Sequence, residues 1–471
     1  MHLPLISKFV NAELLQEMAA VKLCPLCSKS MAANHYWYKG GWKCKGASKT
    51  LPVVPSVLAP STTTPLIKSA VKAAHVHTTS ILPAVGSSAH LTSYSAVENW
   101  LFSQKIKEYR IAADLSVSVQ GSISLRDLRC NVLPVNFSSI AGDIWITDSL
   151  ITSLIGLPSS TNGDLEIWSC GLTTLEGIPN IINGNIVLNG NRGLTSLDHF
   201  PTQVTGDINI TSSPLTSLVG LPSTVNNSIH LKLMEELTSL EGMPSYVTGA
   251  ATLEKFNALE SLNGMGDIGN NFYILEAPSL ESLKGMGKVG GNLSISGVNS
   301  LQSLEGMNSV GKSVHLYFTP DGKIKNLVGL VPGNGQFIIS GNIGSFEGMP
   351  AEIKAGTLNM PSSGMFEHIP SAVHGDLILS RNYSDQPISL IGIHKHIKTV
   401  KGILRLELES SAGGLGILRI KNLEGVQVGS KVSKEMKQLS EILSKALDSR
   451  TDILEVQEQL IAAGLSKYAR L

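Results

Sequence analysis

A four-residue phrase recurs along the chain at nearly constant spacing, and no other feature of the sequence restricts the fold as strongly. It reads Leu-Thr-Ser-Leu or a near variant, usually followed by one residue and then Gly-(Leu/Met)-Pro. Its copies end at Leu154, Leu175, Leu197, Leu218, Leu240, Leu262, Leu283 and Leu304, 21 or 22 residues apart. Weaker copies end at Leu327, Phe346, Phe366 and Leu390, with steps of 19 to 24 residues. A fixed period of this length marks an array in which each unit is one supersecondary element resting on its neighbours.

Each unit carries a second signature, Gly-(Asp/Asn)-apolar-x-apolar, as at 142–146, 163–167, 184–188, 206–210 and 375–379. Alternation over so few residues suits a short strand. The glycine is expected to permit a tight turn into it. At 21 residues the unit has no room for a helix on the return, so an extended or 3₁₀-like return is expected. One unit cannot bury its own apolar face. Stacked units bury Ile144 and Ile146 against Leu165 and Ile167, and these against Ile186 and Leu188. The expected fold is a repeat solenoid, a leucine-rich-repeat-like parallel β ladder with short non-helical returns. Residues 97–101 read as a short amphipathic helix ahead of it. After it, 433–447 and 452–463 place Met436, Leu439, Ile442, Leu443 and Leu447 at helical spacing, and Gly464 closes the second stretch. These predict a small helical C-terminal cap. The domain division that follows is an N-terminal module at 1–45, a linker at 46–95, an N-terminal cap and lead-in at 96–140, the solenoid at 141–393 and the C-terminal cap at 394–471.

Three regions occur in a specific order: the lead-in at 97–109, with Val117, Val119 and 133–137; the Leu-Thr-Ser-Leu-Glu-Gly-Met-Pro unit at 237–244; and the exit at 442–447, 455–465 and 468–471. Over about residues 97–471 the chain resembles a group of leucine-rich-repeat-like proteins encoded by tailed bacteriophages. The resemblance implies a phage setting, in the host cytoplasm or the virion, and brings no defined activity. This copy departs from the group in carrying apolar or small residues where many units have Asn- or Cys-rich strands.

The N-terminal module has its own pattern. Cys24-Pro25-Leu26-Cys27 has the form of a zinc knuckle, in which a tight turn aims two thiolates at one ion. Residues 35–44 read as a β-hairpin turning at Gly40-Gly41. In a zinc-ribbon-like module Cys44 supplies a third ligand. The usual second Cys-x-x-Cys is broken by Ala47, which leaves His35 as the fourth. A set of Cys24, Cys27, His35 and Cys44 would make the zinc structural, because four protein ligands leave no open position for water. The competing reading is a ribbon without metal, held by Tyr36, Trp37 and Trp42. The linker from 46 to 95 contains no Asp or Glu and five prolines.

Several function classes are disfavoured. With 37 basic and 37 acidic residues the chain is neutral, which argues against a dedicated polyanion binder. The start lacks a basic stretch followed by an apolar one, so no secretory signal is expected. No run of 18 apolar residues suggests a membrane span. Five cysteines, three of them before Gly46, do not form a secreted disulfide framework. Residues 306–313 match the P-loop pattern, and 264–269 and 285–290 match G-x-G-x-x-G. Both chemistries need a helix N-terminus after the glycines, and here the phase of the repeat predicts a strand. His394-Lys395-His396 reads as a solvated turn, and Cys130 and Cys170 as small core or turn residues. No enzyme and no small-molecule substrate is expected.

A solenoid of this kind exposes a concave sheet face. Its outward columns follow from the phase of the repeat and contain Trp145, Trp168, His230, Tyr273, His315 and Tyr317. Trp and Tyr are types that anchor interfaces, and the face lacks the basic column that tracks phosphates. The expected function is a non-enzymatic interaction scaffold for a protein partner, either a virion component or a host protein. The alternatives are a structural component of the particle, and nucleic-acid binding through the N-terminal module. The bland reading of the aromatic side chains is that they only cover the sheet.

Overall fold

The computed structural model describes residues 35–38, 41–44, 90–354, 356–361, 367–380 and 387–471. The chain divides into two compact units, Met1–His77 and Thr78–Leu471. In the first, His35–Tyr38 and Gly41–Cys44 pair as an antiparallel hairpin.

The second unit is a parallel β-solenoid. Each repeat contributes one strand to a 15-stranded sheet that begins at Ile123–Arg126 and ends at Gly425–Val428. Neighbouring strands pair in parallel and one repeat apart, so equivalent residues stack: Ile144 on Leu165, then Ile186, Ile208 and Ile229. The inward pair of the regular strands is fully buried, as at Ile144 and Ile146 or Ile186 and Leu188. The ladder therefore reaches beyond residues 141–393 at both ends, because the lead-in and the C-terminal region each supply strands in the same register.

The return explains the recurrent phrase. Its two leucines are core residues, buried at every copy from Leu172 and Leu175 to Leu301 and Leu304. The serine between them folds the turn. Ser196 Oγ accepts from the Asp198 N–H at 3.0 Å, Ser217 from Val219 at 3.1 Å and Ser282 from Lys284 at 3.1 Å. The following glycine takes a left-handed backbone, with φ of 84° at Gly177, 111° at Gly220 and 88° at Gly242.

The other repeated glycine has a different reason from the tight turn expected of it. Gly163, Gly184 and Gly206 are not left-handed, but a Cβ on any of them would collide with the side-chain oxygen of Asp143, Asp164 or Asn185 in the turn before. Those oxygens form a polar ladder. Asp143 Oδ1 accepts from the Asp164 N–H at 2.9 Å, Asp164 from Asn185 at 2.7 Å, Asn185 from Asp207 at 2.7 Å and Asp207 from Ser228 at 3.0 Å. The Gly-(Asp/Asn) signature is thus one device: an acceptor that ties a turn to the next, and the space it needs.

A second parallel ladder, broken after Val204 and again after Val310, runs along the return. Short strands such as Ile181–Ile182, Gln203–Val204, Tyr246–Val247 and Ala372–Val373 pair with their equivalents, and Val289 and Val310 continue the line by single bridges. The buried member of each is β-branched, from Thr161 and Ile182 through Val225 and Val247 to Val373 and Val400. Branching at Cβ favours extended backbone, which accounts for strand rather than 3₁₀ geometry here.

Helix α1 (Tyr94–Ser103) starts at Ser93, whose hydroxyl accepts from the Ala96 N–H, and buries Val97, Trp100 and Leu101. Trp100 meets Phe137 with ring centroids 6.3 Å apart. A one-turn helix, α2 (Ile393–His396), lies on a late return. The exit carries α3 (Lys434–Ser449) and α4 (Ile453–Ala462), capped by Ser433 and Asp452. Helix α3 closes the last strand: Ser444 Oγ accepts from the Val426 N–H at 3.0 Å and donates to its carbonyl at 2.8 Å. Among the described residues no helix is long and apolar enough to cross a membrane.

Candidate binding face

Because side chains alternate along a strand, each main strand turns two residues away from the core, and the strict register aligns them in columns. One column runs Trp145, Glu166, Val187, Asn209, His230, Thr252, Tyr273, Ser294 and His315. The other holds Thr147, Trp168, Asn189, Thr211, Lys232, Glu254, Leu275, Ser296 and Tyr317. With strands ~4.8 Å apart, the eight steps from Trp145 to His315 span ~38 Å. The six candidate residues therefore do not meet in one cluster. Trp145 and Trp168 stand on adjacent strands, His230 and Tyr273 lie two strands apart, and His315 and Tyr317 share a strand.

Their surroundings differ. Trp168 is the most open, 39% exposed, and its Nε1 donates to Glu166 Oε2 at 3.0 Å. Trp145 is half-buried. His230 Nδ1 lies 3.0 Å from Thr252 Oγ1. Tyr273 is only 7% exposed, its hydroxyl accepts from Asn271 Nδ2 at 3.0 Å, and its neighbours Thr252 and Ser294 are buried as well. His315 and Tyr317 meet edge to face at 6.4 Å, and His315 Nε2 is enclosed without a hydrogen-bond partner among the described residues. Burial lowers the His230 pKa, with Asp207 opposing and Lys232 reinforcing; burial alone lowers that of His315 and raises that of Tyr317.

The columns lie where the phase of the repeat placed them. The polar corner that follows the strands was not anticipated. Asn191 is fully buried there, accepts from the Cys170 N–H at 3.2 Å and donates to the Ile167 carbonyl at 3.2 Å. Cys170 sits beside it as a free thiol, and Cys130 is also buried and free; burial is the largest cause raising both thiol pKa values. A cleft of about 450 Å³ opens near this corner, lined by Arg192, Ser212, Ser213, Pro214, Leu233, Glu235 and Glu236.

The nucleotide-like motifs lack the geometry that their chemistry needs. Gly306 is the left-handed return glycine, φ 92°, Val310 bridges to Val289, and Val314–Tyr317 is a ladder strand. Gly264 and Gly285 are the same return glycine, with φ of 90° and 89°. His394 belongs to α2, where its Nδ1 is buried and has no hydrogen-bond partner among the described residues.

In the N-terminal unit, His35 and Cys44 are direct register partners across the hairpin. Cys24 and Cys27 lie outside the described residues. Among the described residues no group of three or more His, Cys, Asp or Glu is placed to hold a metal ion.

Fold and face together define a repeat protein, a leucine-anchored parallel β-solenoid. No family model matches the chain, and no curated protein or solved structure matches it either.

Proposed function

We propose that the chain is a non-enzymatic interaction scaffold that holds a protein partner on the outer face of its main ladder. The observation that supports this reading is the pair of outward columns, which set Trp and Tyr side chains among polar ones at fixed spacing along a rigid sheet. Aromatic anchors on a preformed surface bind at low entropic cost. The phage setting, with a virion component or a host protein as partner, rests on the ordered lead-in, repeat and exit described above.

Capture of partners from phage-infected cells tests the reading. The wild-type chain should enrich a defined protein that a Trp145→Ala/Trp168→Ala variant loses. Identical partner sets for both would remove the face from the proposal.

The N-terminal module is assigned a structural zinc held by Cys24, Cys27, His35 and Cys44. The pairing of His35 with Cys44 supports two of the four positions. Zinc here would fix the hairpin and leave no catalytic position. Elemental analysis should give one zinc per chain and lose it in Cys24→Ser; zinc unaffected by that change rejects the ligand set.

A further inference from the structure

We infer that the partner reaches this face with an arginine- or lysine-bearing segment, received between Trp145 and Trp168. The inference rests on the proposed docking role of the face and adds the chemistry of what docks.

The four strands from Ile144–Thr147 to Ile208–Thr211, with the residue preceding each, follow the first strand of the sheet. Their outward positions carry Asp143, Asp164, Glu166 and Asp207, and no Lys or Arg. All four carboxylates are partly accessible. The cations on the flanking strands are already paired: Arg126, in register with Thr147, meets Asp148 at 2.9 Å, and Lys232, in register with Thr211, meets Glu254 at 2.9 Å. Among the described residues none of the four carboxylates beside the tryptophans has such a cation. The chain as a whole is neutral, so this excess is local.

The geometry also suits a guanidinium. A planar cation stacks on an indole face while its N–H groups meet a carboxylate. The hydrogen bond from Trp168 Nε1 to Glu166 Oε2 holds indole and carboxylate side by side before any ligand arrives. A preset pair loses less freedom on binding. Asp143 and Asp207 use Oδ1 on the polar ladder, and no hydrogen bond engages their second oxygens among the described residues. The Tyr273 end offers no comparable surface, because Thr252, Tyr273 and Ser294 are buried.

Fluorescence anisotropy of a labelled alternating Arg-Gly octapeptide, titrated with the full chain, tests this. Saturable binding is expected, weaker for the Lys-Gly peptide and absent for the Glu-Gly peptide. Trp168→Ala should weaken the Arg-Gly peptide about tenfold, and Glu166→Gln should weaken it too, while Tyr246→Phe, at an exposed position on the return, leaves it unchanged. No saturable binding, equal binding of the Glu-Gly peptide, or no effect of Trp168→Ala in a variant with wild-type circular dichroism overturns the inference. Cross-linking of a captured partner separates the two levels. A contact at Trp168 made by a segment without Arg or Lys sinks the inference and leaves the docking face standing; a partner set indifferent to both tryptophans sinks the face itself.

Discussion

At the scale of single residues, the repeat is written in positions that tolerate one chemistry each. Gly242 combines a left-handed backbone, φ 88°, with a neighbouring turn so close that a Cβ would strike the Val219 amide. Gly242→Ala is expected to cost about 3 kcal/mol, the left-handed penalty plus the clash, read as a lower midpoint in urea. What the sequence told about these residues divides by range. The paired leucines announce their burial, since periodic apolar positions need no knowledge of the partner. The reason for Gly184 was hidden. It lies in Asp164, one turn away, and a local reading credits such a glycine to its own backbone. Asn191 was hidden in the same way, because its two backbone partners belong to another turn. Of the face, the columns could be counted from the phase. That Tyr273 is enclosed while Trp168 is open could not, since accessibility depends on side chains contributed by neighbouring strands.

At the scale of elements, most turns have two extended segments and two corners, and among the described residues helices appear at the ends of the stack and on one late return. The second ladder was legible in retrospect as a column of β-branched residues four positions before most main strands, such as Ile182 before Ile186 and Val225 before Ile229. Two residues are too few for alternation to signal a strand, so the return read only as extended. The ends of the main sheet are treated differently. A free edge invites another strand, and at the exit a single hydroxyl covers it. Ser444→Ala removes both hydrogen bonds to Val426 and should cost about 1–2 kcal/mol. Hydrogen exchange should accelerate at Val426 and in the last turns while the turns near Leu175 keep their protection; uniform acceleration would contradict a local seal.

At the scale of the whole molecule, stability is expected to fall in acid through three partly buried histidines. His230, His315 and His394 all have pKa values lowered from the ordinary 6.5, burial being the largest cause at each. The folded chain therefore holds them neutral, and the unfolded chain takes up protons first as the pH drops. Stability is fully present above the unfolded value and is lost as the pH falls through it toward the lowered folded values. The melting temperature should be lower at about pH 5 than at about pH 7.5, and His315→Gln should flatten that difference. An unchanged slope in the variant would mean that the loss comes from other groups.

The polar ladder carries one more consequence. Its hydrogen bonds join residues 21 or 22 positions apart, Asp143 to Asp164 and Asn185 to Asp207 among them, and each turn leans on the one made before it. Such a chain need not wait for its last residue. As it leaves the ribosome, every completed turn is a template for the next, and contacts this local favour rapid closure. Synthesis and folding can then advance together from the lead-in, with the helices of the exit arriving last to finish the stack.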